Sequence, residues 1–176
     1  PLEKEDCHLR KELMDSSKDK AELLMIVDLE RNDLGKVCEC GSINVEYLRE
    51  LESYAQLHHL AATVRGRIKK GLGPLEVLRA LFPGGSVTGA PKKRAMEIID
   101  ELEEHPRSIY TGALGYIGAG GSAQFNIPIR TMTQVGQKVY FHAGCGIVAD
   151  SEPELEFEEM MLKTEGMMEA LKCKST

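Results

Sequence analysis

Tryptophan is absent from these 176 residues, and aromatic residues of all kinds make up only 5% of them. A core built from this chain must be filled by aliphatic side chains and by its eight methionines. Long apolar runs are also missing. The most apolar stretch, Leu23 to Leu29, is cut by Asp28 and falls far short of the ~18 consecutive apolar residues of a membrane span. Nor is there a basic excess: 22 Lys and Arg face 28 Asp and Glu, a net charge of −6. That balance argues against a general grip on nucleic acid, which depends on neutralising phosphates. The opening Pro1-Leu2-Glu3-Lys4-Glu5-Asp6 lacks the basic-then-apolar order of a secretory signal. Because it starts with Pro and not Met, the sequence reads as one whose N-terminus has been cut.

Paired cysteines at metal-binding spacing are lacking as well. Cys7, Cys38, Cys40, Cys145 and Cys173 are odd in number, and none stands in a C-x-x-C pair. Cys38 and Cys40, even with His8, do not supply the four characteristically spaced ligands of structural zinc. Free thiols in a reducing cytoplasm are the expectation.

What is present is an ordinary globular composition, 42% apolar and 28% charged, with room for one domain or a piece of a larger one. Residues 5–34 read as helix, stopped by Asn32-Asp33-Leu34-Gly35 with Gly35 as its cap. A short strand is expected at 41–45 and another at 54–68, where a helix fits nearly as well. Pro74 opens a short amphipathic helix through Leu75, Leu78 and Leu81. Phe82 to Ala90 carries every signal of a loop, and Pro91 starts a helix running to about Glu104. Strands at 110–117, 124–132 and 138–143, joined by short Gly-containing turns, predict an antiparallel meander. Ser151-Glu152-Pro153-Glu154 has the form of a capping box for a last helix ending near Leu171. Elements in blocks predict an α+β fold: an antiparallel sheet meander with packing helices. Met25–Leu29, Ile98, Ile99 and the methionines at 160, 161, 167 and 168 are assigned to the core.

Two helices carry carboxylates one turn apart, Asp19 with Glu22 and Glu156 with Glu159, and Lys163 follows on the second stripe. Facing each other, such helices would offer an all-oxygen site suited to magnesium; from spacing alone each is more simply a solvated face. Arg130 follows Ile127 and Ile129 in an alternating segment, where its fork could clamp a carboxylate or simply mark an edge strand. Gly144-Cys145-Gly146 ends a strand and allows backbone amides close to an anion, or is a plain turn. The Ser86-to-Pro91 segment offers amides ahead of a helix to an anion. It is no Walker loop, and Gly118-Ala119-Gly120-Gly121 is no dinucleotide fingerprint, since it opens no helix. Of His58 and His59, on opposite faces of a strand, one can face a pocket, although a satisfied structural role suits either. Together these features suggest a binder of a small dianion with a divalent metal.

Several long stretches resemble signatures of the chorismate-utilising enzymes. They are Met25-Ile26-Val27-Asp28-Leu29-Glu30-Arg31-Asn32-Asp33-Leu34-Gly35, Phe82-Pro83-Gly84-Gly85-Ser86-Val87-Thr88-Gly89-Ala90-Pro91-Lys92, Arg94-Ala95-Met96-Glu97-Ile98-Ile99, Ile129-Arg130-Thr131 and Gly144-Cys145-Gly146-Ile147-Val148-Ala149-Asp150-Ser151. The His58-His59 doublet, Lys18-Asp19-Lys20-Ala21-Glu22 and the wording Gly84-Gly85-Ser86-Val87-Thr88-Gly89 are similar to the para-aminobenzoate branch more than to the anthranilate branch. The resemblance implies that residues 1–176 are a C-terminal portion of a large two-sheet chorismate-binding domain.

It also implies roles. Glu22 and Glu159 match Mg2+ ligands, with Asp19 and Glu156 as the pair that holds metal-bound water. Tyr110, Arg130 and the Gly146 amide match the grip on the enolpyruvyl carboxylate of chorismate. Lys163 and the Gly144 region would lie near the ring carboxylate, and His59 and Ser86 beside the ring, near the hydroxyl that leaves. A glutamine amidotransferase subunit or domain would supply ammonia. Cys145 departs from the smaller residue usual at its position, and Gln124-Phe125-Asn126 from the wording of near relatives. The family's Pro-Ile-x-Gly-Thr motif, whose x is Lys in the para-aminobenzoate branch, would fall just ahead of Pro1. These residues alone are therefore expected to be inactive, and to self-associate through an exposed apolar face.

Overall fold

A computed structural model describes residues 3–53, 58–149 and 151–172, and the chain divides into two compact units, Pro1–Leu81 and Phe82–Thr176. In the first unit the long charged run forms two helices, not one. Ser16 interrupts it: its Oγ accepts a hydrogen bond from the Asp19 amide at 3.2 Å, capping α2 (Ser17–Val37) where α1 (Glu3–Asp15) ends. Ser, Thr, Asn and Asp favour this position because their side-chain oxygens satisfy an amide the helix cannot. Gly35 does not end α2. The helix continues to Val37 and stops at Cys38, which is extended (φ −95°, ψ 154°) with its amide still bonded to the Leu34 carbonyl.

β1 (Asn44–Ser53) and β2 (His58–Arg65) form an antiparallel pair running from Asn44↔Arg65 to Ser53↔His58. The expected strand at 41–45 captures only the start of β1, whose Glu46, Arg49, Glu50 and Glu52 conceal it in the sequence. Two register irregularities, one beside Arg49 at φ 63°, further break its alternation. The strand expected over 54–68 is β2, while Tyr54 to Leu57 lie outside the described residues. α3 (Pro74–Leu81) forms as expected, and it and β2 pack on α2. Val27, Val37 and Cys38 are buried there. Gly66 permits the close approach, since a Cβ at that position would lie 2.6 Å from the Cys38 Sγ.

In the second unit the segment read as loop contains a single helical turn, α4 (Gly85–Thr88). Its closure uses amides that were candidates for anion binding: Val87 donates to Gly84 O and Gly89 to Gly85 O. α5 (Lys92–Leu102) starts after Pro91, at φ −66°, as expected. The three expected strands resolve into two antiparallel hairpins, β3 (Leu114–Ile117) with β4 (Ala123–Asn126) and β5 (Thr133–Val135) with β6 (Lys138–Tyr140). Residues 110–113 turn instead of extending, with Tyr110 N bonded to Arg107 O and Gly112 N to Ile109 O. β4 stops at Asn126 because Pro128 has no amide, Ile129 N bonds back to Ile127 O, and Arg130 adopts φ 49°. The α+β class and antiparallel pairing thus hold, with the strands divided differently.

α6 (Pro153–Leu171) begins at an N-cap of Glu152, with no side-chain cap bond. The capping box does not form, because Ser151 Oγ donates instead to Glu156 Oε1 at 2.7 Å. The residues assigned to the core are only partly there. Val27 and Met167 are buried, but Met25, Ile98, Met161 and Met168 are 38–49% exposed. Among the described residues no helix is long and apolar enough to cross a membrane.

Candidate functional site

The proposed site residues divide between the two units. In the first, Asp19 and Glu22 lie one turn apart on α2, both half-buried. His59 is exposed on β2 opposite Glu52. His58 takes the structural role: Nε2 lies 2.9 Å from Asp6 Oδ1 and Nδ1 3.0 Å from Ser53 Oγ. The ring joins α1 to the hairpin and is spent there.

In the second unit the sequence brings Tyr110, Gly144, Glu156, Glu159 and Lys163 to one place. Lys163 Nζ lies 2.6 Å from Glu159 Oε1, 3.4 Å from the Gly144 carbonyl and 3.5 Å from Cys145 Sγ. Burial works to lower the pKa of that ammonium, but the hydrogen bond and charge of Glu159 outweigh it, so the net shift is upward. Lys163 is therefore a fixed cation at neutral pH. Tyr110 is held from two sides, by the His142 ring stacked at 5.3 Å and by the Arg107 guanidinium 5.7 Å from its centroid. Burial pushes its phenol pKa up, so it stays a neutral donor. Gly144 makes room for it, since a Cβ there would sit 3.3 Å from the Tyr110 hydroxyl.

Arg107 was not singled out by the sequence reading. It grips Glu103 bidentately, Nη2 to Oε1 at 2.6 Å and Nε to Oε2 at 2.9 Å, and its Nη1 donates to the Val87 carbonyl. The i,i+4 spacing of Glu103 and Arg107 was the available signal. The two line a cleft of about 520 Å³ with Phe82, Pro83, Met96 and Ile99.

The remaining candidates are less gathered. Ser86 is exposed on α4. Arg130 is exposed and not on a strand; it follows Pro128, whose carbonyl accepts the Thr111 amide at 3.0 Å. Gly144 and Gly146 lie in the irregular segment 141–149 and do not directly end a strand.

Glu156 is only 6% exposed, and its carboxylate is positioned by Ser151, whose Oγ in turn receives the Val148 amide at 3.0 Å. Glu159 is exposed at the next turn of α6. Two carboxylates one turn apart, one of them buried, fit a hard divalent cation such as magnesium. Cys145 is a third donor that the sequence reading treated only as a departure. Its Sγ donates to the Glu156 backbone carbonyl at 3.4 Å, and burial raises the pKa of the thiol.

Residues 2–169 match the family model described as chorismate binding enzyme. The anthranilate synthase component 1 of Streptomyces coelicolor is 48% identical over 168 residues, covering 96% of this chain and 33% of the relative. The chloroplastic aminodeoxychorismate synthase of Arabidopsis thaliana is 51% identical over 160 residues, or 91% of this chain and 17% of that one. Among solved structures, anthranilate synthase component I from Streptococcus pneumoniae superposes with a TM-score of 0.85 at 41% identity, covering 93% of this chain and 38% of its own. The chain thus spans about a third or less of the length of these relatives.

Proposed function

Since the chain belongs to the chorismate-binding enzyme family, we propose that it carries part of the active site of an aminodeoxychorismate synthase component I. The reaction is amination of chorismate to 4-amino-4-deoxychorismate, with ammonia supplied by a glutamine amidotransferase partner. The observation that carries this reading is the corner formed by Tyr110, Gly144, Glu159 and Lys163. It sets a fixed ammonium and a neutral phenol around a backbone opened by glycine, beside carboxylates suited to a divalent metal. A dianion with a ring carboxylate and an enolpyruvyl carboxylate matches that chemistry.

In this reading Glu22 and Glu159 are magnesium ligands, supported by Asp19 and Glu156. Magnesium, when bound, neutralises the ring carboxylate and polarises the ring toward displacement. Lys163 adds a second positive charge for that carboxylate. Tyr110 donates its phenol to the enolpyruvyl carboxylate, with the Arg130 fork and the Gly146 amide. His59 and Ser86 stand beside the ring, where the departing hydroxyl needs a proton.

The residues that separate the branches favour the para-aminobenzoate reaction: the His58-His59 doublet and Lys18-Asp19-Lys20-Ala21-Glu22. The alternative is anthranilate synthase component I, favoured by the likeness to the Streptomyces coelicolor and Streptococcus pneumoniae proteins. Incubating the full-length protein with chorismate, magnesium and ammonia distinguishes them by product. 4-Amino-4-deoxychorismate is expected; anthranilate with pyruvate would establish the alternative. No magnesium-dependent turnover would leave a binding module.

A further inference from the structure

We propose that Arg107 is a positioning residue for chorismate: it fixes Tyr110, ring and backbone, where the phenol meets the enolpyruvyl carboxylate. This deepens the proposed function and rests on it, since that reading gives Tyr110 the contact.

Arg107 is not itself placed to take the substrate. Its Nε and Nη2 donate to the Glu103 carboxylate, and its Nη1 to the Val87 carbonyl at 2.9 Å and to Thr111 Oγ1 at 3.4 Å. All three nitrogens of the fork are thus engaged within the protein, and Glu103 balances the charge. The guanidinium still lies 5.7 Å from the Tyr110 ring centroid, within cation–π reach. His142 stacks on the same ring with the two planes 11° apart. The Val87 carbonyl ties the fork to α4, so the ring rests against an anchored group.

A second link reaches the Tyr110 backbone. Thr111 is buried and adopts φ 59°, a left-handed conformation that a β-branched residue keeps only where its surroundings hold it. Three bonds do so here. Thr111 Oγ1 donates to the Tyr110 carbonyl at 2.6 Å and receives Arg107 Nη1, while Thr111 N donates to the Pro128 carbonyl at 3.0 Å. The Tyr110 amide in turn donates to the Arg107 carbonyl at 2.9 Å. Strain is therefore held beside a proposed substrate contact by a side chain already committed within the protein, which is how a ligand grip is pre-organised. The charge acts in the same sense. Burial raises the Tyr110 pKa and the Arg107 guanidinium works against that rise, which strengthens the phenol as a donor.

The test is a double-mutant cycle on the full-length protein with chorismate, magnesium and ammonia, pairing Arg107→Lys with Tyr110→Phe. Arg107→Lys keeps the charge and removes the fork. The enolpyruvyl carboxylate is unchanged as the hydroxyl leaves, so a grip on it acts alike in ground and transition states and sets KM. Arg107→Lys is expected to raise KM for chorismate roughly tenfold, with kcat within about threefold of the parent. Once the Tyr110 hydroxyl is gone, Arg107→Lys should add less than about twofold. Thr111→Val removes the hydroxyl link alone; it should raise KM in the same non-additive way, and it carries the test if Arg107→Lys fails to fold. An unchanged KM in these variants, or increases that multiply when each is combined with Tyr110→Phe, would overturn the positioning role and leave the proposed function intact. An unchanged KM in Tyr110→Phe itself would remove the contact that the proposed function assigns to Tyr110, and the positioning role with it.

Discussion

Arg107 shows how much one side chain organises. Its guanidinium ties the end of α5 to α4 through Glu103 and the Val87 carbonyl, and covers the ring of Tyr110. The hydrogen bond and charge of Arg107 hold the Glu103 carboxyl below the usual carboxylate range, against a smaller opposing effect of burial. A depressed folded-state pKa means the pair stabilises the fold above the ordinary carboxylate pKa. That stability fades as pH falls through the lowered value. Glu103 keeps 38% of its side chain exposed, so solvent screening limits the gain to under about 1 kcal/mol. Glu103→Gln is therefore expected to lower urea stability by that amount at neutral pH and by nothing in strong acid. An equal loss at both would mean that shape, not charge, is what Glu103 contributes. At this scale the sequence was informative where spacing sets contact: Glu159 and Lys163 stand at i,i+4 and do pair. It was silent where contact depends on loops returning, as for His142 on Tyr110 and Cys145 on α6.

Secondary elements were legible where a breaker or cap acts locally, and not where tertiary pairing overrides pattern. Pro74 and Pro91 mark the starts of α3 and α5 correctly, because a fixed φ and a missing amide act on the nearest residues alone. Gly35 misled, since a glycine inside a helix costs only about 1 kcal/mol, and α2 continues to the buried Val37. β1 was hidden by its charges because it is paired along its length with β2 and mostly exposed. Glycine in the β3–β4 hairpin carries a sharper requirement. A Cβ on Gly115 would overlap the Gln124 carbonyl and press on Phe125 across the pair, whereas one on Gly120 in the turn would meet nothing within 4 Å. Gly115→Ala should cost about 1–3 kcal/mol or open the hairpin, and Gly120→Ala should stay within about 0.5 kcal/mol of the parent. Denaturant melts of the two variants decide it, and equal stability would mean that β3 and β4 can part at no cost.

The long motifs were the most legible feature of the whole chain because they are chemical as well as structural, and they identified the family before any element boundary was right. The core was the least legible. Apolar residues assigned to the core are in part at the surface: Met168 is 49% exposed, Met161 48% and Met25 40%. Two independently folded units of half this mass would together expose about 10,000 Å². The described chain exposes 13347 Å². The difference, roughly 3,000 Å², exceeds the 1,200–2,000 Å² that a stable protein–protein interface buries. Large apolar side chains are among what is exposed, and exposed apolar patches mark interaction surfaces. On α6, Leu155 and Leu162 repeat at seven residues as an exposed apolar stripe, with Phe157 and Met161 exposed elsewhere on the helix and Glu156 and Met167 buried. The 176 residues on their own are therefore expected to elute as oligomers or aggregates, and Leu162→Glu, which interrupts the stripe, should shift them toward monomer. Size exclusion coupled to light scattering measures both. A clean monomer of 19.5 kDa for the parent chain would mean that the exposed stripe is compatible with water after all, and would remove the reason to look for what covers it.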